Sequence, residues 1–501
     1  MKARLMHRDR DFDVQTPLPW NERALMKDLE LPTLLRAMAR DDKFLHEVAL
    51  RALLTGCSND PETILYRQAI VQDSLNNPAA LRELYDLTLE VIENKRKDWF
   101  GIWGRYPSSV LSGAIRMMEM FVGMLRRLRA IARAQAPRFV SEGFSVLFSM
   151  LESELTDEYF ARIEAHLAEL RFRGGVPISA ELGPGNAGRN YVLRQPRKDE
   201  RHWLRRLLTT RTYAYTIRLP YRDFEGARAL SELRNRGIHF VASALARSVD
   251  HVDNFFQMLR TELAFYIGCL NLHERLAELG EPTCFPRPFP AGQRRLCLRG
   301  LYDPCLALQM QRGVVGNSVD AGGKNLVIIT GANQGGKSSF LRGIGVAQLM
   351  LQSGMFVAAE SFEGEVCAGL VTHYKREEDA TLKSGKLDEE LARMSEIIDH
   401  VAPNSMLLFN ESFAATNERE GSEIARQVVS ALTGKGIKVL FVTHLHAFAH
   451  GFFECAADQA HFLRAERLPD GTRTYRLVEG QPLATSHGRD LYERIFAVKD
   501  E

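Results

Sequence analysis

Gly331, Ala332, Asn333, Gln334, Gly335, Gly336, Lys337 and Ser338, followed by Ser339, form a G-x-x-x-x-G-K-S pattern. Glycines at its first and sixth positions let the backbone turn tightly, so that successive N–H groups and a helix N-terminus can surround a phosphate. In that geometry Lys337 neutralises the β- and γ-oxygens of a nucleoside triphosphate and Ser338 ligates Mg²⁺. A chance glycine-rich turn needs no particular flanks. This one directly follows the apolar run Leu326-Val327-Ile328-Ile329 and precedes a helical pattern over Phe340–Leu351.

Two further segments supply groups that such a loop would need. Met406-Leu407-Leu408-Phe409 is an apolar strand that delivers Asn410 and Glu411 at its C-terminal edge, where open α/β sheets bind ligands. In an ATPase of this layout Asn410 steadies Mg²⁺ through water, and Glu411 aligns or deprotonates the attacking water. The next strand ends at Thr443-His444, where an imidazole can sense the γ-phosphate or its loss. Lys337, Glu411 and His444 are therefore the expected catalytic residues. His444, His446 and His450 could also be read as a metal cluster, but no carboxylate or cysteine accompanies them at ligand spacing, and the bland reading is preferred.

The elements that must hold these residues change character along the chain. From residue 21 to 173 apolar residues recur at helical spacing, as in Leu81, Leu84, Leu87, Leu89 and Ile92, and a run of methionines at Met117, Met118, Met120 and Met124 reads as core filler. Gly174-Gly175-Val176-Pro177 and Gly183-Pro184-Gly185 mark a break, with a short β element near Tyr191–Leu193. A second helical stretch runs from Phe224 to Leu279 and is long enough to act as a strut. Beyond it, β-like runs at Asn325–Thr330, Ser405–Phe409 and Lys438–Thr443 alternate with helical patterns at Phe340–Leu351, Lys386–His400 and Gly421–Leu432, which predicts a mainly parallel sheet. A hairpin is expected between His461–Leu468 and Thr472–Leu477, with Pro469-Asp470-Gly471 as its turn.

With 501 residues, of which 45% are hydrophobic and 26% charged, the chain has the composition of an ordinary globular protein of more than one domain. No apolar run reaches the length of a signal peptide or a membrane span, so the expectation is a cytoplasmic protein with no membrane partner. The seven cysteines are odd in number and contain no C-x-x-C pair, which argues against a disulfide framework or a zinc site. The net charge of +2 is unevenly divided: residues 321–501 carry 19 basic against 24 acidic residues, and residues 1–320 carry 46 against 39. The basic excess favours a polyanionic partner for the first part. Between Arg189 and Arg222 lie nine arginines and Lys198, interleaved with Tyr191, Trp203, Tyr213, Tyr215 and Tyr221, as on surfaces that contact phosphates and stack bases. Arg189, Arg194, Arg197, Lys198, Arg201, Arg205 and Arg206 are the candidate DNA contacts; a solvated charged face is the alternative.

Taken together, Gly331-Ala-Asn-Gln-Gly-Gly-Lys337-Ser-Ser339, Asn410-Glu411-Ser412, Glu420-Gly421 and Thr443-His444 resemble the ATPase of the MutS mismatch-repair family. That family typically shows G-P-N-x-G-G-K-S-T, D-E, D/E-G and A-T-H in this order, and Asn333 is a mark of it. Ser486-His487-Gly488 is similar to its S-Y-G element, and Asp60 to Val71 is more loosely similar to the helical core that precedes the ATPase. The resemblance implies a multidomain chain: an all-α core and lever region over residues 1–295, embracing DNA, followed by an α/β P-loop (ABC-type) ATPase domain over residues 296–501. It further implies ATP and Mg²⁺ as ligands, mismatched, branched or duplex DNA as partner, a homodimer because the family's ATP sites are composite, and downstream repair proteins.

The departures are specific. Asn410 stands where the family has aspartate, which retains the hydrogen bonding of a Mg²⁺-bound water but removes a negative charge, so slow turnover is expected. The stretch Ser384 to Met394 occupies the place of the family segment that completes the partner's site, making Ser384 and Lys386 the candidate trans contacts. The first 100 residues contain no G-x-F-x-E motif, so the mismatch-reading domain is expected to be missing; the look-alike Gly451-Phe-Phe-Glu454 reads as core. Two other classes are an ABC-type ATPase unit, disfavoured by the lack of an L-S-G-G-Q element, and a nucleotide-binding regulator with little hydrolysis, made plausible by Asn410.

Overall fold

The computed structural model describes residues 1–55, 60–98, 106–195, 216–376 and 385–483. Two compact units emerge from the packing. One comprises Met1–Ala3, Glu83–Pro137 and Val146–Arg260, and the other Arg4–Arg82, Arg138–Ser145 and Thr261–Glu501. Residues 4–82 thus group with the sheets, although by sequence the chain divides near residue 295.

The first unit is mainly helical. It contains the later part of α5 (Pro78–Asp98), α6 (Pro107–Gln135), most of α7 (Glu142–Glu154), α8 (Asp157–Leu170) and residues 224–260 of α9 (Phe224–Glu278). Helix α6 buries a stripe that includes Leu111, Ile115, Met118, Phe121, Val122 and Leu125, and Phe121 stacks on Phe256 of α9 with ring centroids 6.0 Å apart. Met117, Met118 and Met124 are buried core residues, as their spacing suggested, whereas Met120 is only half-buried. One feature departs from an all-α reading: β1 (Ile178–Leu182) and β2 (Gly188–Leu193) pair antiparallel, with Ile178 opposite Leu193.

The second unit begins with four helices, α1 (Glu22–Asp28), α2 (Leu31–Ala39), α3 (Lys43–Leu54) and α4 (Pro61–Asn76). Asp42 and Asp60 cap the last two, each carboxylate accepting two backbone N–H groups. The main sheet has the order β12-β11-β6-β10-β9-β8, built from β6 (Leu326–Gly331), β8 (Leu370–Tyr374), β9 (Met406–Asn410), β10 (Lys438–Val442), β11 (Ala460–Arg467) and β12 (Arg473–Glu479). Every pairing in it is parallel except β11 with β12, the expected hairpin. Strands β6 and β10 are buried throughout, which is why they read as unbroken apolar runs.

Helices α11 (Lys337–Ser353), α12 (Lys386–His400), α13 (Glu418–Gly434) and α14 (His446–Ala456) follow the strands; α12 has the bounds that periodicity predicts. A second, four-stranded sheet was not legible: β3 (Arg287–Phe289), β7 (Ser361–Glu365), β4 (Leu296–Leu301) and β5 (Asn317–Asp320), in that spatial order. Its strands are short and draw on both sides of α11, so no local alternation announces it. Helix α10 (Pro304–Met310), capped by Asp303, lies between β4 and β5 in the chain.

The segment before α1 is tied to this unit by buried polar groups. Arg67 is fully buried and donates to the carbonyls of Met6 at 2.7 Å and Ser353 at 3.4 Å. Glu262 accepts backbone N–H groups from Leu5, from Met6 at 3.4 Å and from Phe12 at 3.0 Å. Burial outweighs these donors and pushes the Glu262 carboxyl from 4.5 up to about 7. A native pKa above the unfolded one stabilises fully below about pH 4.5, and that contribution is lost as pH rises through about 7. His7, held down at about 4 by burial and by Arg67, has the opposite slope between about pH 6.5 and 4. Comparing wild type with Glu262→Gln isolates the carboxylate: chemical denaturation at pH 5 and pH 8 should show the variant lacking about 3 kcal/mol of pH dependence.

Candidate nucleotide-binding site

The strand register assembles the site. Val442 of β10 lies opposite Ile329 of β6 and opposite Asn410 of β9. The C-terminal ends of three neighbouring strands therefore release Gly331, Glu411 and Thr443 at the same sheet edge. Ladder-like bonds continue past the strands, from Glu411 N–H to the Val442 carbonyl at 2.9 Å and from Thr443 N–H to the Ile329 carbonyl at 3.0 Å.

Between β6 and α11 the loop turns through conformations that favour glycine. Gly331 has φ +107° and Gly336 φ +88°. At Gly335 a Cβ would come within 2.6 Å of the Ala465 side chain and 2.9 Å of the Ala332 carbonyl oxygen, so that position is reserved by space. Helix α11 begins at Lys337, earlier than the apolar pattern indicates, because Gly336 completes the turn. Lys337 is buried and its Nζ donates to the carbonyls of Gly331 at 3.0 Å and Ala332 at 2.9 Å. Burial lowers its pKa to about 8, with Glu411 opposing the shift and Arg473 adding to it. Asn333, Gln334 and Ser338 are exposed at the loop surface.

Ser338 Oγ donates to Asn410 Oδ1 at 3.0 Å. Two hard oxygen ligands thus face each other across the sheet edge, the donor chemistry that Mg²⁺ takes. Glu411 Oε1 lies 3.2 Å from His444 Nε2, and this hydrogen bond is the chief reason that the Glu411 carboxyl is held below its ordinary pKa. Glu411 also has φ +55°, an uncommon conformation for a residue with a side chain. The following residues are locked from behind. His373 is almost fully buried, which lowers its pKa to about 4 and keeps the ring neutral. Its Nε2 lies 3.1 Å from the Glu390 carbonyl and its Nδ1 2.7 Å from Ser412 Oγ, which itself donates to the His373 carbonyl at 2.6 Å. Glu390 in turn accepts the Phe413 N–H at 2.9 Å. Gly421 packs so closely on Phe413 that a Cβ there would lie 2.3 Å from its carbonyl oxygen, which accounts for the glycine of Glu420-Gly421.

The hairpin braces the loop, and this the sequence did not announce. Ala465 of β11 pairs with Gly331, and Arg473 of β12 donates from Nε to the Asn333 carbonyl at 2.7 Å. Asn317 of β5 donates to the Tyr475 carbonyl at 3.2 Å and accepts the Leu477 N–H at 2.7 Å. Beside the loop opens a cavity of about 360 Å³ whose lining includes Leu306, Met310, Val315, Ser339, Phe340 and Tyr475. Its apolar walls suit a flat heterocycle.

The remaining candidates are dispersed. Lys386 is the first residue of α12, and Ser384 lies outside the described residues. Arg189 belongs to β2, where it approaches Glu181 at 3.7 Å. Arg194, just beyond β2, donates from Nε to Ser179 Oγ at 2.8 Å. Arg197, Lys198, Arg201, Arg205 and Arg206, with Trp203, Tyr213 and Tyr215, lie outside the described residues, as does Ser486-His487-Gly488. His446 and His450 face each other on α14 with ring centroids 5.2 Å apart, and His450 pairs with Glu454 at 3.4 Å. Among the described residues no three His, Cys, Asp or Glu side chains converge as metal ligands. Phe452 and Phe453 of the Gly451-Phe-Phe-Glu454 stretch pack against the main core.

Two family models match this chain, the MutS2 N-terminal domain over residues 59–279 and MutS domain V over residues 327–493. The chain belongs to the MutS family. The domain V match starts within β6 and takes in the loop, Asn410, Glu411 and His444. Similar MutS-family proteins include the DNA mismatch repair protein MutS of Synechococcus sp., 31% identical over 34% of this chain and 20% of its own length. The MutS of Methanosarcina mazei is 28% identical over 37% of this chain and 21% of its own. The endonuclease MutS2 of Thermus thermophilus is 31% identical over 37% and 24%. The alignments thus span about a fifth to a quarter of these MutS and MutS2 relatives.

The lowered Lys337 pKa has a direct consequence. Above about pH 8 the free protein's lysine loses its proton, and phosphate binding must restore it. Equilibrium titration with a fluorescent nucleoside triphosphate from pH 7 to 9.5 should show affinity falling above pH 8, by up to about tenfold per pH unit, with Lys337→Met removing this dependence.

Proposed function

We propose that this MutS-family chain is a Mg²⁺-dependent ATPase that hydrolyses ATP slowly and uses the nucleotide to switch a homodimeric clamp on DNA. Mismatched or branched DNA is the proposed target, in mismatch repair or recombination, with downstream repair proteins as further partners. The observation that carries this reading is the meeting of Ser338 with Asn410 and of Glu411 with His444 over one phosphate-type loop.

On this reading the loop N–H groups and Lys337 surround the β- and γ-phosphates, with Asn333, Gln334 and Ser339 completing the nucleotide contacts. The nucleoside extends into the cavity lined by Met310, Val315 and Tyr475. Ser338, and Asn410 through water, would hold Mg²⁺, which would supply charge neutralisation on the transferring phosphoryl group. Glu411, ionised at neutral pH, accepts a hydrogen bond from the attacking water and turns it toward the γ-phosphorus. A carboxylate with a lowered pKa orients water better than it deprotonates it, and Asn410 brings no charge to the metal, so both residues favour slow turnover. His444 keeps the Glu411 carboxylate in place and can register loss of the γ-phosphate. Arg473, anchored on the Asn333 carbonyl, holds the loop in its binding shape. Ser384 and Lys386 are proposed to complete the partner subunit's site.

DNA contact is assigned to the arginine-rich part of the first unit, where Arg189 lies in β2, Arg194 just beyond it, and Arg236 over the Tyr191 ring at 5.9 Å. Among the described residues no helix is long and apolar enough to cross a membrane.

Steady-state ATP turnover with and without DNA tests the switch. Glu411→Ala should lower kcat by about 10²-fold or more with little change in ATP affinity; wild-type turnover in that variant would remove Glu411 from the role of base. Asn410→Asp should lower the Mg²⁺ concentration required for half-maximal turnover. For the clamp, binding to a heteroduplex or four-way junction should exceed binding to matched duplex and respond to ATP. Arg189→Ala with Arg194→Ala should weaken DNA binding and reduce the salt slope by roughly 2.

A further inference from the structure

A second cavity in the sheet-bearing unit, about 310 Å³, shares no lining residue with the one beside the phosphate loop. Its walls come from α1, the end of β8 and α12. Arg23, Lys27, Arg376 and Arg393 contribute four cationic side chains, whereas Glu396 is the one acidic residue of the described lining. Arg376 is committed to Asp28 at 2.7 Å, and Thr372 donates to the same carboxylate at 2.7 Å.

The other three cations are not so committed. Arg23 and Lys27 are exposed and make no ion pair among the described residues. Arg393 spends one nitrogen on the Tyr374 carbonyl at 3.1 Å, while its Nε and Nη2 are enclosed without an acceptor. Burial, followed by the nearby Arg376, lowers the Arg393 pKa, against the opposing pull of Glu389, Glu390 and Asp28. An enclosed guanidinium with unfilled donors is costly unless an anion balances it. Trp20, 43% exposed and stacked on His400 at 4.6 Å, adds a flat apolar wall.

We propose that this cavity binds a small phosphorylated molecule, with Arg23 and Lys27 at its mouth, Arg393 as the inner cation and Trp20 as a stacking face. Several cations around a guanidinium fork match a multiply charged oxyanion better than a single carboxylate. The cavity wall also includes His373, which holds Ser412 next to Glu411, so an occupant touches the support of the proposed hydrolytic residue. That connection rests on the ATPase reading; binding in the cavity does not.

Inorganic pyrophosphate is the probe, titrated against the intrinsic fluorescence of the full chain in wild type, Arg23→Ala/Lys27→Ala, Lys337→Ala and Trp20→Phe. Arg23 and Lys27 are surface residues, so their replacement leaves the fold intact. The expected result is a saturable change in wild type and in Lys337→Ala, a dissociation constant raised about tenfold in the double variant, and no change in Trp20→Phe. A response abolished by Lys337→Ala would place the anion at the phosphate loop and overturn the proposal, as would a double variant indistinguishable from wild type. If the nucleotide reading fails instead, Lys337→Ala will bind ATP as wild type does while the Trp20 response persists.

Discussion

Asn410, Glu411 and His444 meet the loop after β6 through one strand register, Val442 opposite both Ile329 and Asn410. Parallel pairing of β6, β10 and β9 sends three chain ends to the same edge, and burial of the strands on both faces makes that register unforgiving. A one-residue slip would turn apolar side chains such as Ile328, Leu408 and Phe441 toward the wrong neighbours. The same slip would separate Ser338 from Asn410 and Glu411 from His444. Hydrophobic packing far from any ligand is thus what sets distances of about 3 Å at the site.

Electrostatics then refine what packing has placed. The loop satisfies buried Lys337 with two of its own carbonyls, those of Gly331 and Ala332. Burial is the main influence on that lysine, with Glu411 opposing it and Arg473 adding to it. His373, Ser412 and Glu390 form an inner polar chain that holds the backbone beyond Glu411.

Membership of the MutS family joins this sheet-bearing unit to a mainly helical one, yet the compact units do not follow the order of the chain. Residues 4–82 pack with the sheets, where Asn21 donates to the Leu370 carbonyl, Gln68 to the Pro286 carbonyl and Arg67 to the Ser353 carbonyl. The unit boundary falls within α5, α7 and α9, so helical periodicity runs across it without a break. Linkers rich in glycine or proline, the usual sequence mark of a boundary, are absent at those points.

By itself the sequence determined the loop, its flanking strand and helix, the polar ends of β9 and β10, the bounds of α12 and the β11–β12 hairpin. These are local signals: glycine conformations, a change from helical to strand periodicity, and polar residues at the end of apolar runs. Only the tertiary structure decided that the hairpin returns over the loop to bring Arg473 to Asn333 and Tyr475 to the cavity. It alone also formed the second sheet from four short strands around α11, and gathered Arg23, Arg376 and Arg393 around one cavity. In each case the partners are far apart in the chain, and what joins them is burial and hydrogen bonding between surfaces that no local pattern records.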